Sequence, residues 1–208
     1  MTDRKKKEQL DVDFLLMAYR HGYFPMADSR TGIISWYAPD PRAIIPLHAF
    51  KISRSLSQVV GKNLFEIRID TAFEQVIQSC AEREETWISG EIIASYIKLH
   101  TRGYAHSVES WHMGALVGGL YGVSIGGAFF GESMFSRMPN ASKVALVHLV
   151  ERLRRRGFRL LDTQFMNDHV RQFGAVEIPR ATYLSLLADA LTAAVTFKGD
   201  PPVSSNGI

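Results

Sequence analysis

Between Leu116 and Phe135 two apolar, glycine-punctuated runs are joined by Gly126-Gly127, and this pattern constrains the fold more than any other feature of the chain. Leu116 to Val123 and Ala128 to Phe135 each read as a strand, and the Gly-Gly pair supplies the tight reversal between them. The prediction is an antiparallel hairpin. A hairpin in the middle of the chain excludes a strict βαβ series and makes the sheet mixed or antiparallel. The nearby Gly118-Gly119 and Gly122 are read as hairpin glycines, because no G-x-G-x-x-G here follows a strand and opens a helix.

Helices and further strands surround this hairpin. Asp11 to His21 reads as a helix capped by Asp11 and stopped by Gly22. FEIRID (65–70) alternates like a strand, and in 71–80 Phe73, Val76, Ile77 and Cys80 share one helical face. Another helix, rich in isoleucine, ends at Gly103, and 105–111 reads as a strand. Leu146, Leu149, Val150 and Leu153 repeat at helical spacing, with Asn140 or Ser142 as cap and Gly157 as stop. A strand at 158–162, a short helix at 168–173 and a longer one at 181–194 complete the pattern. From Gly22 to Pro46 the texture changes: Pro25, Gly32, Pro39, Pro41 and Pro46 interrupt short aromatic runs, which suits a small irregular unit. The expected organisation is a small N-terminal subdomain (1–45), an α/β domain (46–198) and a loose tail (199–208).

The sequence has 208 residues, 46% of them hydrophobic and 22% charged, which is ordinary for a folded protein and excludes wholesale disorder. Its single cysteine, Cys80, excludes an internal disulfide framework and thiolate zinc sites. No run approaches 18 apolar residues, and MTDRKKKEQLD lacks the apolar core of a secretory signal. A cytoplasmic protein without membrane contact is expected. The net charge is only +3, but cations cluster at Arg4 to Lys7 and at Arg152, Arg154, Arg155, Arg156 and Arg159. Such clusters suit phosphate contacts, or equally a solvated face.

Candidate chemistry gathers at three polar residues. Asp162 and Gln164 in LLDTQ alternate on a strand and would share a face, where a carboxylate beside an amide can orient and deprotonate an amine. Glu132, inside the apolar FFGESMFS, needs a partner because an unpaired buried charge is very costly. Arg137 is one candidate partner. GESMF lacks the final glycine of a nucleophile elbow, no P-loop is present, and His100, His106 and His112 share no helical face, so no metal site is expected. Trp36, Tyr37 and Trp87 could stack on unpaired bases or pack a core.

AYRHGYFP (18–25), APDPRAIIP (38–46), GYAHSVESW (103–111), FFGESMFSRMPNASK (129–143) and LLDTQFMNDHVRQFGAVEIPR (160–180) together resemble the leucyl/phenylalanyl-tRNA–protein transferases. The resemblance implies a small N-terminal subdomain followed by a GNAT-like α/β domain that binds no acetyl-CoA and needs no cofactor or metal. It implies an aminoacyltransferase that moves Leu or Phe, sometimes Met, from aminoacyl-tRNA to proteins beginning with Arg or Lys. The product would enter the bacterial N-end rule pathway of degradation. Asp162, Gln164 and Glu132 would be the catalytic group, with Gln164 receiving the acceptor's α-amino proton. Leu120, Phe129, Leu146, Leu149, Leu153 and Leu161 would form the pocket for the transferred side chain. Trp87 would contact the terminal adenosine, together with Met26, which stands where many members have tryptophan. Arg152, Arg154, Arg155 and Arg156 would cradle the tRNA backbone. Simple strand parity puts Phe129 and Glu132 on opposite faces, so uniting them requires a bulge or twist. An acyl-CoA-dependent acyltransferase is the alternative enzyme, but no pyrophosphate-binding turn stands in register for it, and a non-catalytic tRNA- or peptide-binding module is the alternative outside enzymes.

Overall fold

The computed structural model describes residues 10–199; Arg4 to Lys7, and the tail beyond Gly199, lie outside them. The chain runs through α1 (Val12–Arg20), β1 (Phe24–Ala27), β2 (Ile34–Tyr37), β3 (Arg42–Ile44), a 3-10 turn (Leu47–Ala49), α2 (Arg54–Gly61), β4 (Glu66–Ile69), α3 (Phe73–Ala81) and α4 (Gly90–Thr101). It continues with β5 (Ala105–His112), β6 (Ala115–Ile125), β7 (Ala128–Ser136), α5 (Ala141–Arg155), β8 (Leu160–Gln164), α6 (Asp168–Arg171), β9 (Val176–Ile178) and α7 (Arg180–Leu191).

Seven strands form one sheet in the order β4-β5-β6-β7-β8-β3-β9. Every adjacent pair is antiparallel except β7 and β8, which are parallel and joined through α5. The sheet is therefore mixed, one of the two arrangements that the central hairpin allowed. Strand β3, from within the span assigned to the N-terminal subdomain, pairs between β8 and β9 in the main sheet, while β1 and β2 form a separate hairpin.

Helices cover both faces because the alternate residues of β6 and β7 are apolar on both. On one face Tyr121, Val123 and Phe130 pack with Leu15 and Tyr19 of α1, Val76 and Ile77 of α3, Tyr96 of α4 and Tyr183 of α7. On the other, Leu120, Phe129 and Leu161 pack against the α5 stripe of Leu146, Leu149, Val150 and Leu153. Two glycines are required by close approach. A Cβ on Gly118 would stand 2.5 Å from that of Ala141, so the start of α5 could not lie on the sheet. Gly126 turns with φ +54° while the end of α7 crosses it, leaving 2.7 Å between a Cβ and the Leu191 carbonyl oxygen.

Glu109, fully buried in β5, serves the fold. Its carboxylate accepts from the Thr71 and Ala72 amides (2.9 and 2.8 Å), just before α3, and from Trp111 Nε1 (3.0 Å). The Ala72 bond satisfies one of the donors that the start of α3 leaves open. Among the described residues no helix is long and apolar enough to cross a membrane.

Candidate active site

The parallel ladder between β7 and β8 ends at Phe130 and Asp162. Beyond that pair the strands separate, and a cavity of about 560 Å³ opens between them, within the range that holds small-molecule ligands. Gly131 to Met134 line it from β7, and Thr163 and Gln164 from β8. Leu120, Leu146, Leu149 and Leu161 form an apolar wall on the α5 side, while Trp87, Arg83 and Arg137 stand at another part of its lining.

Glu132 enters this cavity through a β-bulge. Tyr121 pairs with Ser133 and the next residue, Gly122, with Gly131, so Glu132 is the extra residue of its strand. The half-buried Glu132 accepts a hydrogen bond from the Tyr19 hydroxyl at 2.7 Å, and the Tyr96 hydroxyl bonds to Tyr19 and lies 3.4 Å from the other carboxylate oxygen. Arg137 is not its partner; that guanidinium pairs with Glu82 at 2.9 Å. Burial pushes the Glu132 carboxyl up to about 7, the Tyr19 bond opposes this, and the Asp162 charge adds to it. The carboxyl is thus divided between its two forms near neutrality, while burial and the Glu132 charge keep the Tyr19 and Tyr96 hydroxyls protonated well above the ordinary range.

Asp162 is fully buried and saturated. Arg42 grips it with both arms, Nε to Oδ1 at 3.0 Å and the terminal nitrogen to Oδ2 at 2.7 Å. Tyr183 donates to Oδ2 at 2.8 Å, and the backbone N–H of Gln164 donates to Oδ1 at 2.9 Å. Burial works against the Arg42 charge, but Asp162 holds its pKa above the usual arginine range. Arg42 also donates to the Gly22 carbonyl at 3.0 Å and lies over the rings of Phe24 and Tyr183. Sequence reading passed over Arg42, Tyr19, Tyr96 and Tyr183. A charge leading directly into the apolar AIIP stretch, like the one inside FFGESMF, was the available signal, because each implies a buried partner.

Gln164 follows Asp162 at the strand end with φ +60°, a conformation that non-glycine residues seldom adopt. The Phe165 N–H reaches back to the Thr163 carbonyl at 2.7 Å, closing a three-residue turn around it. Such backbone persists only where surroundings over-determine it, here through the Asp162 bond.

The remaining expected site residues divide. Phe129 and Leu153 do not line the cavity; both are wholly buried behind it, Phe129 against Phe197. The bulge does not carry Phe129 to the Glu132 side. Instead the separation of β7 from β8 lets one cavity reach both faces. Trp87 lines the cavity and Met26 does not, although the Ala27 N–H bonds the Trp87 carbonyl and so keeps the two neighbours. Trp36 is half-buried, edge-on to Phe14 at 5.1 Å. Two members of the arginine cluster face the C-terminal segment. Arg152 bonds the Phe197 carbonyl, and the largely buried Arg156 bonds those of Thr196, Lys198 and Gly199. Arg154 and Arg155 remain exposed, with Arg154 Nε on the Leu47 carbonyl. Among the described residues no three His, Cys, Asp or Glu side chains gather as metal ligands.

The family model described as leucyl/phenylalanyl-tRNA protein transferase matches residues 44–188, and its N-terminal domain model matches residues 8–40. The leucyl/phenylalanyl-tRNA–protein transferase of Gloeobacter violaceus is 57% identical over 91% of this chain and 98% of its own length. The like-named proteins of Herpetosiphon aurantiacus and Chlorobaculum tepidum are 55% and 53% identical, over 91% and 90% of this chain and 99% of each relative.

Proposed function

The chain belongs to the leucyl/phenylalanyl-tRNA protein transferase family, and we propose that it carries leucine or phenylalanine, and sometimes methionine, from aminoacyl-tRNA to the N-terminal amine of proteins that begin with arginine or lysine. The observation that carries this reading is one cavity with a leucine wall on one side and a half-buried carboxylate, titrating near neutrality, on the other. A leucyl or phenylalanyl side chain fits the wall, and the reacting ester then lies towards Gln164 and Glu132. Such a wall separates apolar side chains by only about 1–3 kcal/mol per methylene, which accounts for a loose preference among them.

The aminoacyl ester already stores the free energy of the new peptide bond. What the site must supply is a neutral amine held against the ester carbonyl, and positioning of that kind lowers a barrier by up to about 7–11 kcal/mol. An amide is too weak a base to keep a proton, so Gln164 orients the amine through Oε1 while Glu132 receives its proton. Asp162 does not line the cavity and so meets neither amine nor ester; it is a positioning residue that fixes the backbone of Gln164 and is itself fixed by Arg42. This divides the roles differently from the sequence expectation, which gave the proton to Gln164. Trp87 offers a stacking surface for the terminal adenine, and Arg83 and Arg137 beside it offer cations to the adjoining phosphates. With Arg152 and Arg156 engaged by the C-terminal segment, Arg154 and Arg155 are the members of that cluster best placed to meet the tRNA backbone. The products would be substrates of the N-end rule pathway in the cytoplasm.

The test is transfer of labelled leucine or phenylalanine from charged tRNA to peptides beginning with Arg, Lys, Asp, Glu or Ala. Label on the Arg and Lys peptides is the expected result. Label on the acidic peptides alone would redraw the acceptor specificity, and no label on any peptide from folded protein would remove the transferase reading.

A further inference from the structure

We propose that His169 is a catalytic residue: its Nε2 and the side-chain nitrogen of Gln164 together bind the oxyanion that forms on the donor ester. This rests on the transferase reading above and deepens it.

Among the described residues two enclosed side-chain polar atoms have no hydrogen-bond partner, and they are Gln164 Nε2 and His169 Nε2. Both residues line the same cavity. An enclosed polar atom without a partner costs about 1–3 kcal/mol, so two on one cavity point to a ligand that supplies what both lack. A primary amide nitrogen can only donate. A neutral imidazole with its proton on Nε2 donates as well, and two donors lining one cavity suit a shared oxygen acceptor. Burial, with Lys143 adding to it, holds the His169 pKa below the ordinary histidine value, which keeps the ring neutral at pH 7. Both groups are also fixed in place. Asn167 caps α6 by accepting from the Val170 N–H at 3.0 Å, the His169 ring lies 5.6 Å from that of Phe173, and Asp162 holds the Gln164 backbone. Donors set before the reaction act without reorganisation when charge develops.

The step balances as follows. The amine nitrogen forms a bond to the ester carbonyl carbon, the carbonyl π pair moves onto its oxygen, and that alkoxide accepts from Gln164 and His169. The amine's proton passes to Glu132. The alkoxide pair then re-forms the carbonyl, the bond to the ribose oxygen breaks, and that oxygen takes the proton from Glu132.

Single-turnover transfer from leucyl-tRNA to an Arg-initiated peptide tests this, with thermal unfolding as a control for folding. His169→Phe is expected to lower the rate at saturation about 10²–10³-fold, as loss of one such donor does, with little change in the concentration dependence on either substrate. His169→Gln, which keeps a donor near the Nε2 position, is expected to retain most of the rate, and His169→Asn, which places its amide near Nδ1, is expected to lose it. If the Phe variant does not fold, the Gln and Asn pair makes the same comparison. A His169→Phe enzyme with the wild-type rate, or one with raised KM for the peptide and unchanged kcat, would overturn the oxyanion role; the latter would make His169 an acceptor-binding residue. Wild-type enzyme that transfers nothing would instead count against the transferase reading.

Discussion

Replacing Asp162 by alanine is expected to cost about 3–5 kcal/mol of stability, read as a shift of the urea unfolding midpoint, besides abolishing transfer. As half of a carboxylate–amide pair in LLDTQ, Asp162 reads as removable without harm to the fold, since the strand would still form. The structure gives the carboxylate four partners in a site with no access to water: two arms of Arg42, the Tyr183 hydroxyl and the Gln164 N–H. Alanine leaves the Arg42 guanidinium buried with its charge uncompensated, and that is the costly half of a broken buried pair. The double variant Arg42→Met/Asp162→Leu removes both charges and is expected to recover most of the lost stability, while transfer stays lost because Gln164 has no anchor. The non-additivity of the cycle separates the two roles. An Asp162→Ala protein within about 1 kcal/mol of wild type would show that the pair does not tie the N-terminal region to the sheet.

Glu132→Gln is expected to lower transfer by about 10²–10⁴-fold, the usual contribution of a positioned base, and to make the protein more stable above neutral pH. The second effect follows from linkage. The carboxyl titrates at about 7 in the folded chain against 4.5 for the free side chain, so between those values the folded state holds the extra proton. Stability from this group is therefore present below about pH 4.5 and declines as pH rises through 7. The cavity admits some water, which limits the loss to about 1–3 kcal/mol at pH 8. Glutamine keeps an acceptor for Tyr19 without a charge to desolvate. Wild type and variant should match near pH 4 and part by that amount at pH 8. Equal stability at both values would mean that the carboxyl is well hydrated and titrates normally.

These two residues also mark how far the sequence could be read. Long periodic elements were legible. The capped helix at Asp11, the apolar face of Phe73, Val76, Ile77 and Cys80, the hairpin about Gly126 and the leucine stripe of α5 follow from spacing and punctuation, because each is decided within about ten residues. The strands β1, β2, β3 and β9, of three or four residues each, were not legible, since they carry too few residues to show a period and proline breaks the first. Helix α2 buries only Leu56 fully, although its Ser53 cap was a usable sign. At the site, residue types pointed to Glu132, Asp162 and Gln164, but the assembly around them joins positions far apart in the chain. Arg42 and Asp162 are 120 residues apart, and Tyr19 and Glu132 are 113. Tyr19, Tyr96 and Tyr183 sit on helix faces that pass for core, and only the need of a buried hydroxyl for a partner distinguishes them. The arginine cluster shows the converse. Its like charges suggested a nucleic-acid surface, whereas two of them are held by carbonyls of residues 196–199, a contact that no local pattern reveals.

Under the proposed function the cavity between β7 and β8 receives the aminoacyl end of the donor. The most direct measurement is a crystal structure with phenylalanine joined to the 3′ position of adenosine through an amide, which cannot be transferred. Its phenyl ring is expected among Leu120, Leu146, Leu149 and Leu161, its carbonyl beside Gln164 on the side facing Glu132, and its adenine against Trp87. A phenyl ring bound outside that leucine wall, with the cavity left open, would contradict it.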